Sequence, residues 1–318
     1  MATLEAIGTD SDYVEVSVRR FDLGARLEFP VYLRIGDALV LYRSVGDPLD
    51  ARHVRQLEES RRSKVWIPRR AMDLYMDHLV RRADRVASDV LATPSEKIQS
   101  CYDVGVCMTE AALRGARSIS TYRAAEALVD RIVDLYHWHS YRLHELCDVL
   151  ATRPDLYEHS LHTCLYGVLL GKAAGYDRLH ELGLGLLFHD VGKLDLPSGI
   201  LDSTQPLSAS DRQIVQRHPT LGVERLRTAG WIHPVVRDIV QNHHERLDGN
   251  GYPRRCRGNQ LTVATRIAAI ANTFDGRTTD RPYRPARSAF DVLQEMIARG
   301  GDVYDRALLE VFIGLLVT

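Results

Sequence analysis

His189-Asp190 closes the apolar run LGLGLLF and is followed by Val-Gly-Lys, and His243-His244-Glu245 follows a second helical stretch, VVRDIVQN. Paired imidazoles, or an imidazole beside a carboxylate, are costly to bury on separate helices unless every polar group finds a partner. A metal ion supplies one. Mixed imidazole and carboxylate donors suit Mn, Fe, Zn or Co, and a carboxylate can bridge two cations at the roughly 3.5–4 Å separation of two-metal hydrolytic sites. His159 and His218 add two more nitrogen donors from other helices. An exposed or internally hydrogen-bonded histidine would explain any one of these residues but explains the set poorly. His162, His180 and His233 have no such context and read as structural.

Eight of the thirteen histidines fall after residue 150, so the chemistry belongs to the C-terminal half. There, and already from Pro94-Ser95 onward, apolar residues recur at helical spacing. Ala125, Leu128, Val129, Ile132, Val133 and Tyr136 form one stripe, and only the loops at 197–210 and 248–261 interrupt an otherwise all-α reading. The N-terminal part differs. YVEVSVRRFD alternates from Tyr13 to Asp22, and FPVYLRIG and ALVLYRSVG flank the turn signal Gly36-Asp37. Asp50 is placed to cap a helix through ARHVRQLEES, VWIP resumes as a strand, and a helix follows from Ala71 to Ala92. The expected organisation is a small α+β domain over 1–93, a helical lead-in over 94–150 and an all-α domain over 151–318.

Composition narrows the function classes. With 41 Lys+Arg against 42 Asp+Glu, the chain has no bulk attraction for DNA or an anionic membrane. Arg61, Arg62, Lys64, Arg69 and Arg70 cluster without interleaved aromatics and read as a solvated rim. No apolar run approaches the roughly 18 residues of a membrane span. Met1–Asp12 carries acids where a secretory leader would be basic, so a cytoplasmic location is expected. Cysteines 101, 107, 147, 164 and 256 form no CxxC pair, which argues for reduced thiols and against a zinc ribbon.

HDVGK at 189–193 is similar to the signature of the HD phosphohydrolase superfamily, and HHERLDGNGYP at 243–253 resembles the extended signature of its HD-GYP branch. RPYR at 281–284 matches a further segment of that branch. The resemblance covers roughly residues 150–318, and the N-terminal part resembles the variable domains often fused ahead of it. It implies an all-helical scaffold holding two or three divalent ions, Fe or Mn, that hydrolyses the bacterial second messenger cyclic di-GMP to the linear dinucleotide and on to GMP. Carried across by position, it makes His159, His189, Asp190, His218, His243 and His244 the metal ligands, with Asp190 the bridging, catalytic carboxylate. Asp155 falls where members with three metals carry a Glu; it also follows Pro154 near a helix start, where an acid is stabilising in its own right. Lys193 falls at a phosphate-binding, catalytic position, and Tyr252, Arg281 and Arg284 fall where the nucleotide is held. Glu245 and Asp248 are expected to hold the loop whose glycines permit its tight path.

The sequence departs from the pattern at its last ligand. Counting 28 residues from His244, where the family carries Asp, reaches Asn272, a neutral amide and a weaker ligand for a hard dication. Asp275, one turn on, could supply charge from behind. Arg254, Arg255 and Cys256 after GYP, and a 200–208 loop without Lys-Pro-Gly, are further departures. Two other outcomes therefore stand beside an active phosphodiesterase: a silent module that binds cyclic di-GMP or a signalling protein partner, and hydrolysis of another phosphorylated nucleotide. Oligomeric state is left open.

Overall fold

The computed structural model describes residues 12–60, 62, 64–114, 119–138, 156–201, 205, 207–230, 233–280 and 285–317. The chain divides into two compact units, Met1–Val104 and Gly105–Thr318.

The first unit is built on an antiparallel four-stranded sheet in the order β1-β4-β2-β3. Its strands are β1 (Tyr13–Ser17), β2 (Val31–Ile35), β3 (Ala38–Arg43) and β4 (Lys64–Pro68). The turn between β2 and β3 needs a left-handed residue, which Gly36 provides at φ 61. The strand expected to run on to Asp22 ends at Ser17, and Val18–Arg20 form a 3-10 turn. Val18 and Phe21 are both buried, a spacing of three that a strand cannot put on one face. Helix α1 (Ala51–Glu59) is capped by Asp50, whose side chain accepts the amides of Arg52 and His53. Helix α2 (Met72–Ser88) stops short of the expected Ala92, and Val90 and Leu91 beyond its end stand exposed. Arg62, Lys64, Arg69 and Arg70 are exposed, with Lys64 paired to Glu15 at 2.6 Å; Arg61 lies outside the described residues. The division between the units falls within α3 (Pro94–Arg114).

In the second unit every described regular element is a helix, and the loop after His244 carries one isolated bridge, Asp248 to Arg257. On α4 (Ile119–Trp138) the stripe Ala125, Leu128, Val129, Ile132 and Tyr136 is buried, as the spacing requires. Helix α5 (Leu156–Ala173) is buried all round from His159 to Gly171, the mark of a central helix. It packs against α4, α6 (Leu179–Phe188), α9 (Val263–Thr278) and α11 (Arg306–Val317). Helix α6 ends in the fully buried run Leu182–Phe188 and packs on α8 (Pro234–Asn242). Helices α7 (His218–Thr228) and α10 (Ala289–Ala298) complete the main set; the 197–210 region holds the short helix Ser198–Leu201 and ends in the start of another, Ala209–Val215.

Candidate metal centre

Four helices bring imidazoles to one carboxylate. Asp190 follows α6 and opens the one-turn segment Val191–Asp195, with 1% of its surface exposed. Its Oδ1 lies 3.1 Å from His218 Nε2 and 3.7 Å from His243 Nε2; its Oδ2 lies 3.3 Å from His189 Nε2 and 3.5 Å from His159 Nε2. Two groups of donors result, Asp190 with His218, His243 and His244, and Asp190 with His159 and His189. The carboxylate common to both points one oxygen into each.

Local sequence explains how these side chains meet. Gly192, in the turn after Asp190, faces the start of α7 so closely that a Cβ would stand 2.0 Å from the His218 carbonyl oxygen and 2.4 Å from the Gly222 nitrogen. Only glycine lets the His-Asp turn and the His218 end of α7 touch. Gly251 plays a similar part in the following loop, where a Cβ would meet the backbone of His244, Glu245 and Arg246 at 2.5–2.6 Å. Glu245 holds that loop by accepting the amides of Arg254 at 2.6 Å and Cys256 at 3.0 Å, and Asp248 accepts the Asn250 amide at 2.9 Å. Tyr252 is thereby stacked on the His244 ring, centroids 4.6 Å apart.

The imidazoles are set to offer lone pairs inward. Nδ1 of His189 faces the Leu186 carbonyl at 2.7 Å, Nδ1 of His218 the Val215 carbonyl at 2.7 Å, and Nδ1 of His243 the Val240 carbonyl at 3.1 Å. A carbonyl only accepts, so each Nδ1 carries the proton and each Nε2 of a neutral ring keeps a lone pair. Burial makes these rings hard to protonate: it lowers the pKa of His218, brings His243 down to about 3 and, with the neighbouring imidazoles, holds His244 well below its usual range. For Asp190 burial opposes ionisation, but Lys193 and the imidazoles outweigh it and keep the carboxyl well below the usual range.

A cation fits this arrangement. His218 Nε2 and His243 Nε2 face each other at 3.1 Å, two lone pairs that repel unless a positive ion lies against both. His189 Nε2 and Asp190 Oδ1 are buried without a hydrogen-bond partner of adequate geometry, an expensive condition that metal ligation relieves. Lys193 Nζ contacts Asp190 Oδ2 at 2.5 Å and offsets part of its charge.

Behind the centre, Asp275 is fully buried and bonds two imidazoles, His159 Nδ1 at 2.5 Å and His162 Nδ1 at 2.8 Å. Burial opposes its ionisation, yet these histidines pull its pKa down. Asp275 therefore orients His159 from the rear, and both its oxygens are engaged there. Asn272 stands one turn earlier on α9, with Oδ1 3.1 Å from His159 Nε2, on the His159–His189 side. His162 is the core-satisfied histidine its sequence context suggested, His180 pairs with Asp130 at 2.6 Å, and His233 caps α8. Asp155, Arg281 and Arg284 lie outside the described residues.

A cavity of about 590 Å³ opens beside His244 and Asn272, with Arg277, Arg287 and Tyr304 on its walls. Sequence reading passed over these three. Only the position of Arg277, five residues after Asn272, and of Arg287, three after the RPYR segment, pointed to them.

Residues 170–308 match the HD domain family model. Among curated relatives, the chain is 29% identical over 202 residues to cyclic di-GMP phosphodiesterase PA4108 of Pseudomonas aeruginosa, covering 63% of this chain and 48% of that protein. It is also 29% identical over 182 residues to a cyclic di-GMP phosphodiesterase of Thermotoga maritima, 54% of this chain and 48% of that one. Over 158 residues it is 37% identical to 3'3'-cGAMP-specific phosphodiesterase 1 of Vibrio cholerae, 50% of this chain and 32% of that one. The chain thus spans about half the length, or less, of these relatives. In fold it is similar to Bd1817, an HDG"Y"P protein from Bdellovibrio bacteriovorus, with TM-score 0.73, 16% identity and coverage of 96% of this chain and all of that one.

Proposed function

We propose that the helical unit is a metal-dependent phosphodiesterase that hydrolyses cyclic di-GMP to the linear dinucleotide and on to GMP, a reading supported by the match of residues 170–308 to the HD domain family model. The observation that supports this most is the pair of donor groups sharing Asp190, with buried His189 Nε2 and Asp190 Oδ1 unpartnered. In this reading Asp190, His218, His243 and His244 hold one divalent ion, Fe or Mn, and His159, His189 and Asp190 a second, with the Asn272 amide completing that side less strongly than a carboxylate. Such ions supply Lewis-acid polarisation of the phosphoryl oxygens and a nucleophile at neutral pH.

The chain's own groups position and balance charge. Asp190 stays ionised between both donor groups, and Asp275 fixes the His159 ring so that Nε2 points inward. Lys193, 21% exposed and already at the centre, is placed to receive a phosphate oxygen when a ligand arrives. Tyr252 walls the site over His244, and Arg281 and Arg284 orient the phosphodiester for in-line attack. Asp155 serves as a third-metal ligand or a helix-end acid. Residues 1–93 form an accessory regulatory domain, and the messenger places the site in the cytoplasm.

Chromatography of cyclic di-GMP incubated with the full chain and Mn, or Fe(II) without oxygen, tests the proposal. The intact protein is expected to form linear dinucleotide or GMP, and the His189→Ala/Asp190→Ala variant neither. Unchanged cyclic di-GMP at all metal loadings, with the protein folded, would refute it; parallel incubation with 3'3'-cGAMP separates a wrong nucleotide from a wrong reaction. The second reading, a silent module that binds cyclic di-GMP or a protein partner, is favoured by one feature, the amide of Asn272 at the His159 side of the centre.

A further inference from the structure

The cavity beside the centre is lined by two chemically distinct sets of residues, His244 and Asn272 of the metal centre, and the cationic Arg277 and Arg287 with Tyr304. Its volume, about 590 Å³, is that of a small-molecule site. Along α9, Asn272, Thr273 and Gly276 line the floor, and a Cβ added at Gly276 would meet nothing within 4 Å. A glycine in a helix interior is unfavourable relative to alanine, and here the missing side chain leaves room in the cavity rather than against protein.

Next to the cavity three guanidiniums share one carboxylate. Arg277 and Arg287 both contact Glu295 on α10, and Arg299 contacts its other oxygen at 2.8 Å. A carboxylate has about four acceptor sites, whereas each guanidinium brings five N–H donors. Arg287 also reaches the Asp291 carbonyl at 3.4 Å, a long contact. Among the described residues Arg277 has no acceptor besides Glu295. Both arginines are about a third exposed and line the cavity, so their spare donors can face an anionic ligand.

We infer that Arg277 and Arg287 form a subsite for the second, non-scissile phosphodiester of the ligand. The inference rests on the reading of the centre as a cyclic dinucleotide phosphodiesterase. Such a ligand carries two anions, and this cavity is lined both by donors of the proposed metal centre and by two guanidiniums that are themselves cationic. Planar guanidiniums suit a phosphodiester because two N–H groups meet two oxygens.

The test compares cyclic di-GMP with bis(p-nitrophenyl) phosphate, which has one phosphodiester. In the full chain, Arg277→Gln/Arg287→Gln is expected to raise KM for cyclic di-GMP at least tenfold with little change in kcat, and to flatten the dependence of KM on salt. Its effect on the single diester should be at least tenfold smaller. Gly276→Leu, which adds bulk to the cavity wall where a Cβ meets nothing within 4 Å, should impair cyclic di-GMP selectively as well. Equilibrium binding of cyclic di-GMP to the His189→Ala/Asp190→Ala background, with and without the arginine changes, gives a readout independent of turnover. Equal losses on both substrates, unchanged KM and binding, or a change in Tm alone would overturn the subsite while leaving the proposed activity standing. No binding and no hydrolysis of cyclic di-GMP by the parent would overturn both.

Discussion

Asp190 is the residue on which the centre depends, because it is the one group shared by both sets of donors. Its replacement by Ala should leave two facing imidazole lone pairs 3.1 Å apart and no bridging charge, so metal content measured by elemental analysis should fall for both proposed ions. Asp275 acts one step back. Asp275→Asn keeps the shape and removes the charge behind His159 and His162, and metal affinity should drop about 10- to 100-fold by calorimetric titration. Asn272→Asp should act in the opposite direction, strengthening the weaker ion by on the order of tenfold and leaving the stronger one unchanged. Equal strengthening of both would show that Asn272 does not belong to the His159–His189 side. At this scale the sequence was most legible where residues are adjacent: HDVGK and HHE announce donors by themselves. The division of those donors into two groups was not legible, because it depends on which oxygen of Asp190 each ring faces. Nor was the engagement of both Asp275 oxygens by imidazoles, which links residues 113 and 116 positions apart.

Elements hold the donors at backbone distance, and the tightest such contact is the turn after Asp190 against the start of α7. Gly192→Ala would drive a Cβ into main-chain atoms that have no soft end to move, the His218 carbonyl among them. A loss of more than about 2 kcal/mol in denaturant unfolding is expected, along with displaced His218 and reduced metal binding. Wild-type stability and metal affinity in that variant would show that the turn is free to shift. Periodicity made the buried stripe of α4 legible, as it did the α+β character of the first unit. It misjudged two ends. The alternating run continued on paper to Asp22, but the inward spacing of Val18 and Phe21 belongs to a 3-10 turn, and α2 ended early, with Val90 and Leu91 exposed beyond its end. Both errors lie where tertiary packing, not local pattern, decides.

At the scale of the whole molecule the two units should respond to different perturbations. In the first unit, His78 is 3% exposed, lies against the rings of Phe21 and Phe29, and accepts the Asp22 amide at 2.8 Å through Nε2. Burial lowers its pKa from the ordinary 6.5. The folded imidazole then binds fewer protons than the unfolded one, so its stabilising contribution is complete above about 6.5 and is lost as pH falls below that toward the lowered value. Hydrogen exchange resolved by mass spectrometry should show residues 13–88 losing protection between pH 7.5 and 5.5, with a smaller loss in His78→Gln. In the second unit, a divalent ion at a hundred times its Kd should add about 2.7 kcal/mol, visible as protection over 156–317 and not over 13–88. Among the described residues no helix is long and apolar enough to cross a membrane.

The proposed hydrolysis of cyclic di-GMP depends on ions held around Asp190. Its most direct test strips the full chain with a chelator, restores Mn or Fe(II) in known amounts, and follows bound metal and product together, with Asp190→Ala alongside. The account predicts that product formation disappears with the metal, returns as the ions rebind, and never returns in Asp190→Ala. Hydrolysis that survives complete removal of metal, or that Asp190→Ala retains, would contradict it.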